Sequence, residues 1–180
     1  MAVVSIDVET TGLGHKASPP REDAVLQVGI AWRGKNAGVR TWSELCNPGM
    51  KFLAGGRAAA ALQINGIAPQ AVLKARPART VAGELWRRIR AVEESCGEAA
   101  EFRAYNRAFD QGFLAKSPWK IPERRWGECI MRKAAYRLAG CDRLKLERAM
   151  AMLEIAWPGP RAHDAAYDAH AALLIDERFE

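Results

Sequence analysis

Two acidic residues at the end of an apolar segment are the first candidates for chemistry. Residues 2–7 read AVVSID, a run typical of a buried strand, and Asp7 and Glu9 follow one another in the spacing Asp-x-Glu. In an extended chain, residues i and i+2 project to the same side of the strand. Both carboxylates can therefore reach one divalent cation, for which carboxylate oxygens are common ligands.

Two later carboxylates share a local setting. Asp110 lies four residues after Asn106, and Asp168 lies four residues after Asp164. Because Asn and Asp are favoured N-caps, each later carboxylate is predicted to lie in the first turn of a helix, where the helix dipole favours its ionised form. His163 directly precedes Asp164 and is predicted to lie on a loop. Its imidazole, with an ordinary pKa of about 6.5, can act as a base at neutral pH.

The order of these carboxylates along the chain is more informative than any one of them. Short patterns such as Asp-x-Glu occur often by chance in a chain of this length. Here the first pattern ends an N-terminal buried strand, and the other two begin predicted helices. Carboxylates that converge repel one another unless cations hold them together. The sequence therefore predicts one metal site that contains Asp7, Glu9, Asp110 and Asp168.

The same segments resemble the three motifs of the DEDDh 3′–5′ exonucleases, a group that includes the proofreading epsilon subunit of bacterial DNA polymerase III and ribonuclease T. The matching segments are DVETTGL at 7–13, YNRAFD at 105–110 and HDAAYD at 163–168. The spacing indicates the histidine subclass, because the tyrosine subclass would have Tyr where this chain has Asp164. The segment INGI at 64–67 is similar to the family's His-Gly-Ile segment, with Asn65 in place of the histidine.

This resemblance implies a ribonuclease H-like α/β fold, with a five-stranded mixed β-sheet flanked by α-helices, in a single exonuclease domain over residues 1–180. It also implies two-metal hydrolysis that releases nucleoside 5′-monophosphates. Two Mg²⁺ ions, which Mn²⁺ can replace, would be held by Asp7, Glu9, Asp110 and Asp168, and His163 would take the proton of the attacking water. The residues expected to contact the substrate are Thr10, Thr11, Gly12, Leu13, Asn65, Asn106 and Phe109.

Two of these substrate contacts have a physical basis in the residue type, and a third, Phe109, has a spacing that favours the core. Gly12 would let the backbone turn close to the terminal nucleotide, and Leu13 would press against its base. Phe109 and Phe113 are four residues apart on a predicted helix, a spacing that favours packing of both rings in the core. Phe109 is thus a core residue by its spacing and a substrate contact by its place in the motif.

Three functions follow from the pattern. DNA is the preferred substrate, as single strands or frayed 3′ ends, because the continuation Thr10-Thr11-Gly12-Leu13 looks more like the proofreading branch. A 3′–5′ exoribonuclease of the same family is the close alternative. A non-catalytic nucleic-acid-binding or polymerase-accessory domain is the third, and the complete set of carboxylates and His163 argues against it. Whether a polymerase or another protein binds the chain is left open.

Composition supports a folded domain with a polyanionic partner. The chain has 180 residues, of which 49% are hydrophobic and 27% charged, proportions that argue against disorder. Its 27 basic and 21 acidic residues give a net charge of +6, and Arg103, Arg107 and Arg161 flank the motifs as candidate strand contacts. Without an 18-residue apolar run or a basic leader, we expect a cytoplasmic protein with no membrane partner. The four scattered cysteines are expected to be reduced.

Hydrophobic patterning and turn residues predict the elements that position these groups. The first three strands are expected to form an antiparallel meander, and the chain is mostly helical after them. The predicted strands are 2–7, 24–32, 39–46, 101–105 and 126–131, and the predicted helices are 56–64, 80–96, 107–115, 132–138, 144–153 and 165–179.

Overall fold

A mixed sheet of five strands forms the centre of the fold. The computed structural model describes residues 2–14, 22–34, 37–157 and 164–180. The spatial order is β3-β2-β1-β4-β5, with an antiparallel meander of β1, β2 and β3 and with β4 and β5 parallel to β1. The predicted five-stranded mixed sheet and its opening meander are confirmed. The strands are β1 Ala2–Thr10, β2 Val25–Gly34, β3 Ala37–Leu45, β4 Ala100–Ala104 and β5 Trp126–Cys129.

Helices cover both faces of this sheet, as predicted. Two of them, α1 and α3, were not predicted from the sequence, and α4 begins at Ala78 rather than at Thr80. A 3₁₀ turn at Glu123–Arg125 precedes β5. The helices of the described ranges are α1 Met50–Leu53, α2 Gly56–Ile64, α3 Pro69–Lys74, α4 Ala78–Cys96, α5 Arg107–Leu114, α6 Ile130–Ala139, α7 Leu146–Met152 and α8 Ala165–Glu177.

The alternation of side chains along β1 separates the core from the candidate site. Val4, Ile6 and Val8 are buried in a cluster with the apolar stripe of α4 and with the end of α5. Because side chains alternate along a strand, Asp7 and Glu9 project to the opposite face. That face is covered by α8, which packs mainly against β2 and β1.

Helix α8 is buried on most of its circumference. Its small residues, among them Ala165, Ala169 and Ala172, are buried and let the helix lie close to the sheet. Helices α6 and α7 cover its other side in a second apolar cluster that includes Ile130, Met150 and Ile175. The position of α8 is therefore determined from two sides, which matters because α8 carries Asp168 in its first turn.

Three results concern predictions from composition. All four cysteines are free thiols. Arg103, predicted to contact a nucleic-acid strand, is instead held by the carboxylates of Glu101, Asp176 and Glu180 at 2.7, 2.5 and 2.6 Å, so its charge serves the fold. Arg161 lies outside the described residues. None of the helices in the described ranges has the length and apolar character needed to cross a membrane.

Candidate active site

The close approach of α8 to β2 forms one wall of the site. In the β1–β2 register, Gly29 is the partner of Asp7, and Gln27 is the partner of Glu9. A Cβ atom at Gly29 would lie 2.2 Å from the carbonyl carbon of Ala165 and 2.4 Å from the backbone nitrogen of Ala166. Only glycine leaves room for the start of α8 at this point, directly beside Asp7.

Gln27 holds the first turn of α8 in this place. Its side-chain Oε1 accepts a hydrogen bond from the backbone nitrogen of Ala165 at 3.3 Å, and its Nε2 donates to Asp164 Oδ2 at 3.5 Å. Asp164 is the N-cap of α8, as predicted, and accepts from the backbone nitrogen of Ala166 at 3.0 Å. Gln27 is buried, so these bonds are protected from water. They orient the turn from which Asp168 projects.

Three of the predicted metal ligands come together at this junction. Asp7, Glu9 and Asp168 each offer a carboxylate oxygen, and these atoms all lie within 4.8 Å of one another. The first two come from the same face of β1, and the third comes from the first turn of α8. The carboxylates therefore converge from two elements that are far apart in the sequence.

Burial and the crowding of like charges together determine the electrostatics of the cluster. Burial raises the pKa of Asp7 well above its ordinary value, and the charges of Asp110, Glu9, Asp168 and Asp164 raise it further. Burial raises the pKa of Glu9 to about 8, with additional contributions from Asp168 and Asp164. Every contribution to these two shifts favours the protonated form. A site of this kind is stabilised by a bound cation, which removes the repulsion between its carboxylates.

Asp110 lies near the three carboxylates but belongs to a different element, helix α5. It is in the first turn of α5 and is buried, and its Oδ1 accepts a hydrogen bond from the backbone nitrogen of Val8 at 3.2 Å. It is not one of the three carboxylates that lie within 4.8 Å. Its charge nevertheless contributes to the raised pKa of Asp7. Asn106 occupies the N-cap position of α5, although its side chain makes no capping hydrogen bond.

The donor set fits a hard divalent cation. The ligand atoms are carboxylate oxygens, the kind that Mg²⁺ and Mn²⁺ prefer, and the cluster contains neither a thiol nor an imidazole from the described residues. Asp7, Glu9 and Asp168 are the residues that could hold such an ion, and Asp110 is placed to assist.

An open cavity of about 550 Å³ adjoins the carboxylates. It lies between the end of β1 and helix α2, and two exposed apolar side chains, Leu13 and Ile64, are 60% and 69% accessible there. Apolar side chains exposed beside a polar cluster provide a surface for a planar ring. The predicted substrate residues that line the cavity are Thr10, Thr11, Gly12, Leu13, Asn65 and Phe109.

The two threonines of this cavity are engaged within the protein. Thr10 Oγ1 donates to the carbonyl of Gly12 at 2.7 Å, and Thr11 Oγ1 accepts from the backbone nitrogen of Ala24 at 2.9 Å. Asp23 Oδ2 accepts from the backbone nitrogen of Gly14 at 2.9 Å. Both threonines are buried, so their hydroxyls shape the loop, and the loop backbone with Leu13 faces the cavity.

Asn65 and Phe109 form the remaining predicted sides of the cavity. Asn65 ends α2, and its Nδ2 donates to the carbonyl of Thr10 at 3.3 Å, which ties α2 to the end of β1. The Phe109 ring lies 5.1 Å from the ring of Phe113 and packs against the core, and it also lines the cavity. The core packing predicted from the spacing of Phe109 is therefore present, and the predicted substrate contact stays a prediction. His163 lies outside the described residues.

Four residues of the site were not predicted from the sequence. Gln27 and Gly29 position α8, Asp23 organises the loop after β1, and Arg57 is a cation on the cavity wall. Gly29 and Gln27 did have a detectable signal, because a glycine and a glutamine interrupt an otherwise apolar strand. No pattern in the sequence marked Asp23 or Arg57.

Comparison with known proteins places the fold among exonucleases. No family model matches the chain, and no curated protein matches it. A full-length 3′-exonuclease is similar, with a TM-score of 0.75 and 16% identity over 99% of this chain and 60% of that one. A 3′-exonuclease solved for its 3′-end specific recognition of a histone mRNA stem-loop is similar at TM-score 0.74 and 14% identity, over 99% of this chain and 80% of that one.

Exonuclease I from E. coli is a further structural neighbour. Its complex with a dT13 oligonucleotide has a TM-score of 0.67 and 17% identity, over 98% of this chain and 40% of that one. A zinc-bound form of its complex with single-stranded DNA matches with the same TM-score. The chain thus spans about 60% of the first structure and about 40% of exonuclease I. These similarities confirm the predicted ribonuclease H-like arrangement of sheet and helices.

Proposed function

We propose that the protein is a metal-dependent 3′–5′ exonuclease that releases nucleoside 5′-monophosphates, with residues 1–180 as one catalytic domain. The observation that carries this proposal is the convergence of Asp7, Glu9 and Asp168 within 4.8 Å beside an open cavity. The similarity of the fold to 3′-exonucleases and to exonuclease I supports it. The raised pKa of Glu9 also supports it, because crowded acids are suited to binding cations.

Asp7, Glu9 and Asp168 would hold a divalent cation, Mg²⁺ or Mn²⁺, and Asp110 would serve a second one. Bound cations supply charge neutralisation at the phosphate and stabilisation of the leaving 3′-oxygen. The protein's own contribution is to hold the carboxylates in place before substrate arrives. It does so through the rigid pairing of β1 and β2 and through the close packing of α8 at Gly29.

The cavity between β1 and α2 would receive the terminal nucleotide. Leu13 and Ile64 would contact the faces of its base, and the loop around Gly12 would bring the backbone close to its sugar. Asn65 and Phe109 would complete the wall. Among the predicted substrate residues, Thr10 and Thr11 would act through the shape of the loop, because their hydroxyls bond to the protein.

His163 would take the proton of the attacking water. It precedes the N-cap Asp164 in the sequence and so belongs to the segment that enters α8. A neutral imidazole is needed for this role, so activity should fall at acidic pH. We expect His163→Ala to lose most of its activity while it retains the binding of Mn²⁺, measured by titration calorimetry. Normal turnover by this variant would refute the role of general base.

DNA and RNA are the two candidate substrates. DNA is favoured by the Thr10-Thr11-Gly12-Leu13 segment and by the likeness to exonuclease I, solved with a dT13 oligonucleotide. RNA is favoured by the likeness to a 3′-exonuclease that recognises a histone mRNA stem-loop, whose TM-score of 0.74 is above the 0.67 of the exonuclease I complex. We propose DNA with a single-stranded or frayed 3′ end as the substrate and RNA as the second candidate.

A 5′-labelled oligonucleotide assay tests the proposal. DNA and RNA of one sequence are incubated with the protein and Mg²⁺ or Mn²⁺, and we expect a ladder of products shortened from the 3′ end that a chelator abolishes. Asp7→Asn should abolish the ladder, and Glu94→Gln, an exposed acid on α4, should not. A ladder on RNA alone would replace DNA by RNA. The absence of any product would favour the non-catalytic nucleic-acid-binding domain.

A further inference from the structure

A second groove, of about 500 Å³, lies at the start of α5 and along α6. It contains four basic side chains, from Arg107, Arg132, Lys133 and Arg137, and one exposed aromatic ring, from Tyr136. Its acidic residues are Glu128 and Asp142, both exposed. None of these residues belongs to the carboxylate cluster or to the cavity beside it.

The groove opens at the same edge of the sheet as the candidate active site. Strands β1, β4 and β5 are parallel, so their C-terminal ends lie along one edge. Asp7 and Glu9 lie near the C-terminal end of β1, and the groove lies at the C-terminal end of β5. The two are linked by the first turn of α5, where Arg107 precedes Asp110 by three residues, a rise of about 4.5 Å along the helix.

Three arginines of this groove form no ion pair with any described carboxylate, so their positive charges are not neutralised within the described residues. Arg107 donates to the carbonyl of Gly127 at 2.8 Å and to the amide of Gln111, and Arg137 donates to the carbonyl of Phe179 at 3.3 Å. These acceptors are neutral. Arg132 is exposed and forms no ion pair within the described ranges.

Several other cations of the described residues are neutralised by carboxylates. Arg33 is paired with Glu177 and Arg76 with Glu44, and within the groove Lys133 is paired with Asp176 at 3.1 Å. A cluster of uncompensated guanidinium groups in a groove is a binding surface for phosphate, because the planar fork matches phosphate oxygens.

The aromatic ring of Tyr136 adds a second recognition element. Tyr136 is 79% accessible and lies four residues after Arg132, so the two side chains share one face of α6. Exposed aromatic rings interleaved with basic side chains bind single-stranded nucleic acids, since each base can stack on a ring while the phosphates meet the cations.

We propose that this groove binds the upstream nucleotides of a single strand whose 3′ end occupies the carboxylate site. Arg132 and Arg137 would contact phosphates, Tyr136 would stack on a base, and Arg107 would connect the groove with the site. This inference rests on the proposed exonuclease function. It adds that the enzyme acts on strands of several nucleotides in preference to the shortest substrates.

The test compares long and short substrates. In a triple variant Arg132→Gln, Tyr136→Ala, Arg137→Gln, we expect KM for a 20-nucleotide single strand to rise about tenfold or more. The ratio of kcat/KM on that strand to kcat/KM on a dinucleotide should fall by a similar factor, because the single phosphodiester of a dinucleotide is the one that is cleaved and leaves no upstream phosphodiester for the groove. The slope of log affinity against log salt concentration should become shallower by about 1.4, since two phosphate contacts are lost. Arg90→Gln, an exposed arginine on α4, is the matched control and should leave the ratio unchanged.

A binding experiment separates this inference from the proposed function. The anisotropy of a labelled single-stranded oligonucleotide is measured with the full chain carrying Asp7→Asn, with and without the groove substitutions. Weaker binding with the groove substitutions supports the groove even if the wild-type chain releases no nucleotide, a result that would refute only the nuclease function. Equal binding and an equal salt slope would overturn the inference and favour another anion, such as an acidic protein segment, as the occupant of the groove.

Discussion

The two ends of α8 place an aspartate in opposite electrostatic surroundings. Asp168, in the first turn, lies within 4.8 Å of Asp7 and Glu9. Asp176, near the other end, is 1% accessible and is paired with Arg103 at 2.5 Å and with Lys133 at 3.1 Å. Both are carboxylates of the same buried helix, yet one lies among acids and the other between cations.

This difference is the one expected if Asp168 serves the proposed function and Asp176 serves the fold. A buried carboxylate that serves stability is expected to have cationic partners, because an uncompensated buried charge costs several kcal/mol. The cluster around Asp168 increases this cost, because burial and then the neighbouring carboxylates raise the pKa of Glu9 to about 8. A protein retains such an arrangement where an external cation is to be bound. Variants at the two ends of α8 test whether the contrast is one of function.

The largest effect is expected at the acidic end. Asp168→Asn should lower kcat/KM for a single-stranded oligonucleotide on the order of 10³-fold, about 4 kcal/mol, because it removes a ligand of the proposed cation. The free energy of unfolding in the presence of chelator should not fall, since the substitution removes a charge from a repulsive cluster. Single-turnover kinetics and urea denaturation measure the two quantities. A loss of stability with activity retained would assign Asp168 a structural role.

The opposite result is expected at the paired end. Asp176→Asn should lower the free energy of unfolding by about 3 kcal/mol, because Arg103 and Lys133 lose their buried partner. Arg103 keeps Glu101, so the loss should be at the lower end of the range for a broken buried pair. The matched control is Glu177→Gln, whose pair with the half-exposed Arg33 should be worth less than about 1 kcal/mol. Equal stability of the two variants in urea would show that the Asp176 pairs do not support the fold.

The stability of the metal-free protein should depend on pH because of the acidic cluster at the start of α8, and this dependence is a third test of the contrast. The folded pKa of Glu9, about 8, lies above its ordinary value of 4.5. Its contribution to stability is therefore fully present below pH 4.5 and is lost as the pH rises through about 8, and Asp7 shifts in the same direction. With chelator, the free energy of unfolding should therefore decrease as the pH rises through this window.

The controls for this pH dependence use the same residue and the cation. Glu9→Gln should make the decrease shallower and raise the stability of the chelated protein at pH 8. Saturating Mn²⁺ at pH 8 should raise the melting temperature of the wild type and should do so less for Glu9→Gln. A melting temperature that is independent of Mn²⁺ would show that the carboxylates do not bind the ion.

The smallest effect is expected where α8 is held to the sheet. Gln27→Leu removes the acceptor of the Ala165 backbone N–H and should cost about 1–2 kcal/mol of stability. If Gln27 positions Asp168, kcat should fall several-fold well below the melting temperature, whereas a purely structural role would leave kcat unchanged. Ser43→Ala removes a more distant partner of Gln27 and should change kcat less than twofold.

Much of the fold followed from local patterns. The strand that carries Asp7 and Glu9 was recognisable by its apolar run, and the bounds of α2 were predicted to the residue. Asp164 was recognisable as an N-cap and does cap α8. The short helices α1 and α3 were not predicted, because four and six residues provide too little periodicity to distinguish a helix from a loop.

The candidate site likewise contains residues that the sequence predicted and residues that it did not. The motif spacing predicted which carboxylates form a metal site, and three of them, Asp7, Glu9 and Asp168, do come together. The role of Arg103 was predicted wrongly, since its position beside the second motif carried no sign of the three carboxylates that pair with it. Gln27 was overlooked because its partner Ala165 is 138 residues away.

The sequence by itself determined the types of carboxylate, their faces on a strand or helix, and the class of chemistry that they suit. These depend on backbone periodicity and capping, which act over a few residues. The tertiary structure alone decided which carboxylates meet, in which direction their pKa values shift and where the basic groove lies relative to them. Those properties depend on contacts such as that between Val8 and Asp110, 102 residues apart, because burial and repulsion arise only when distant segments pack together.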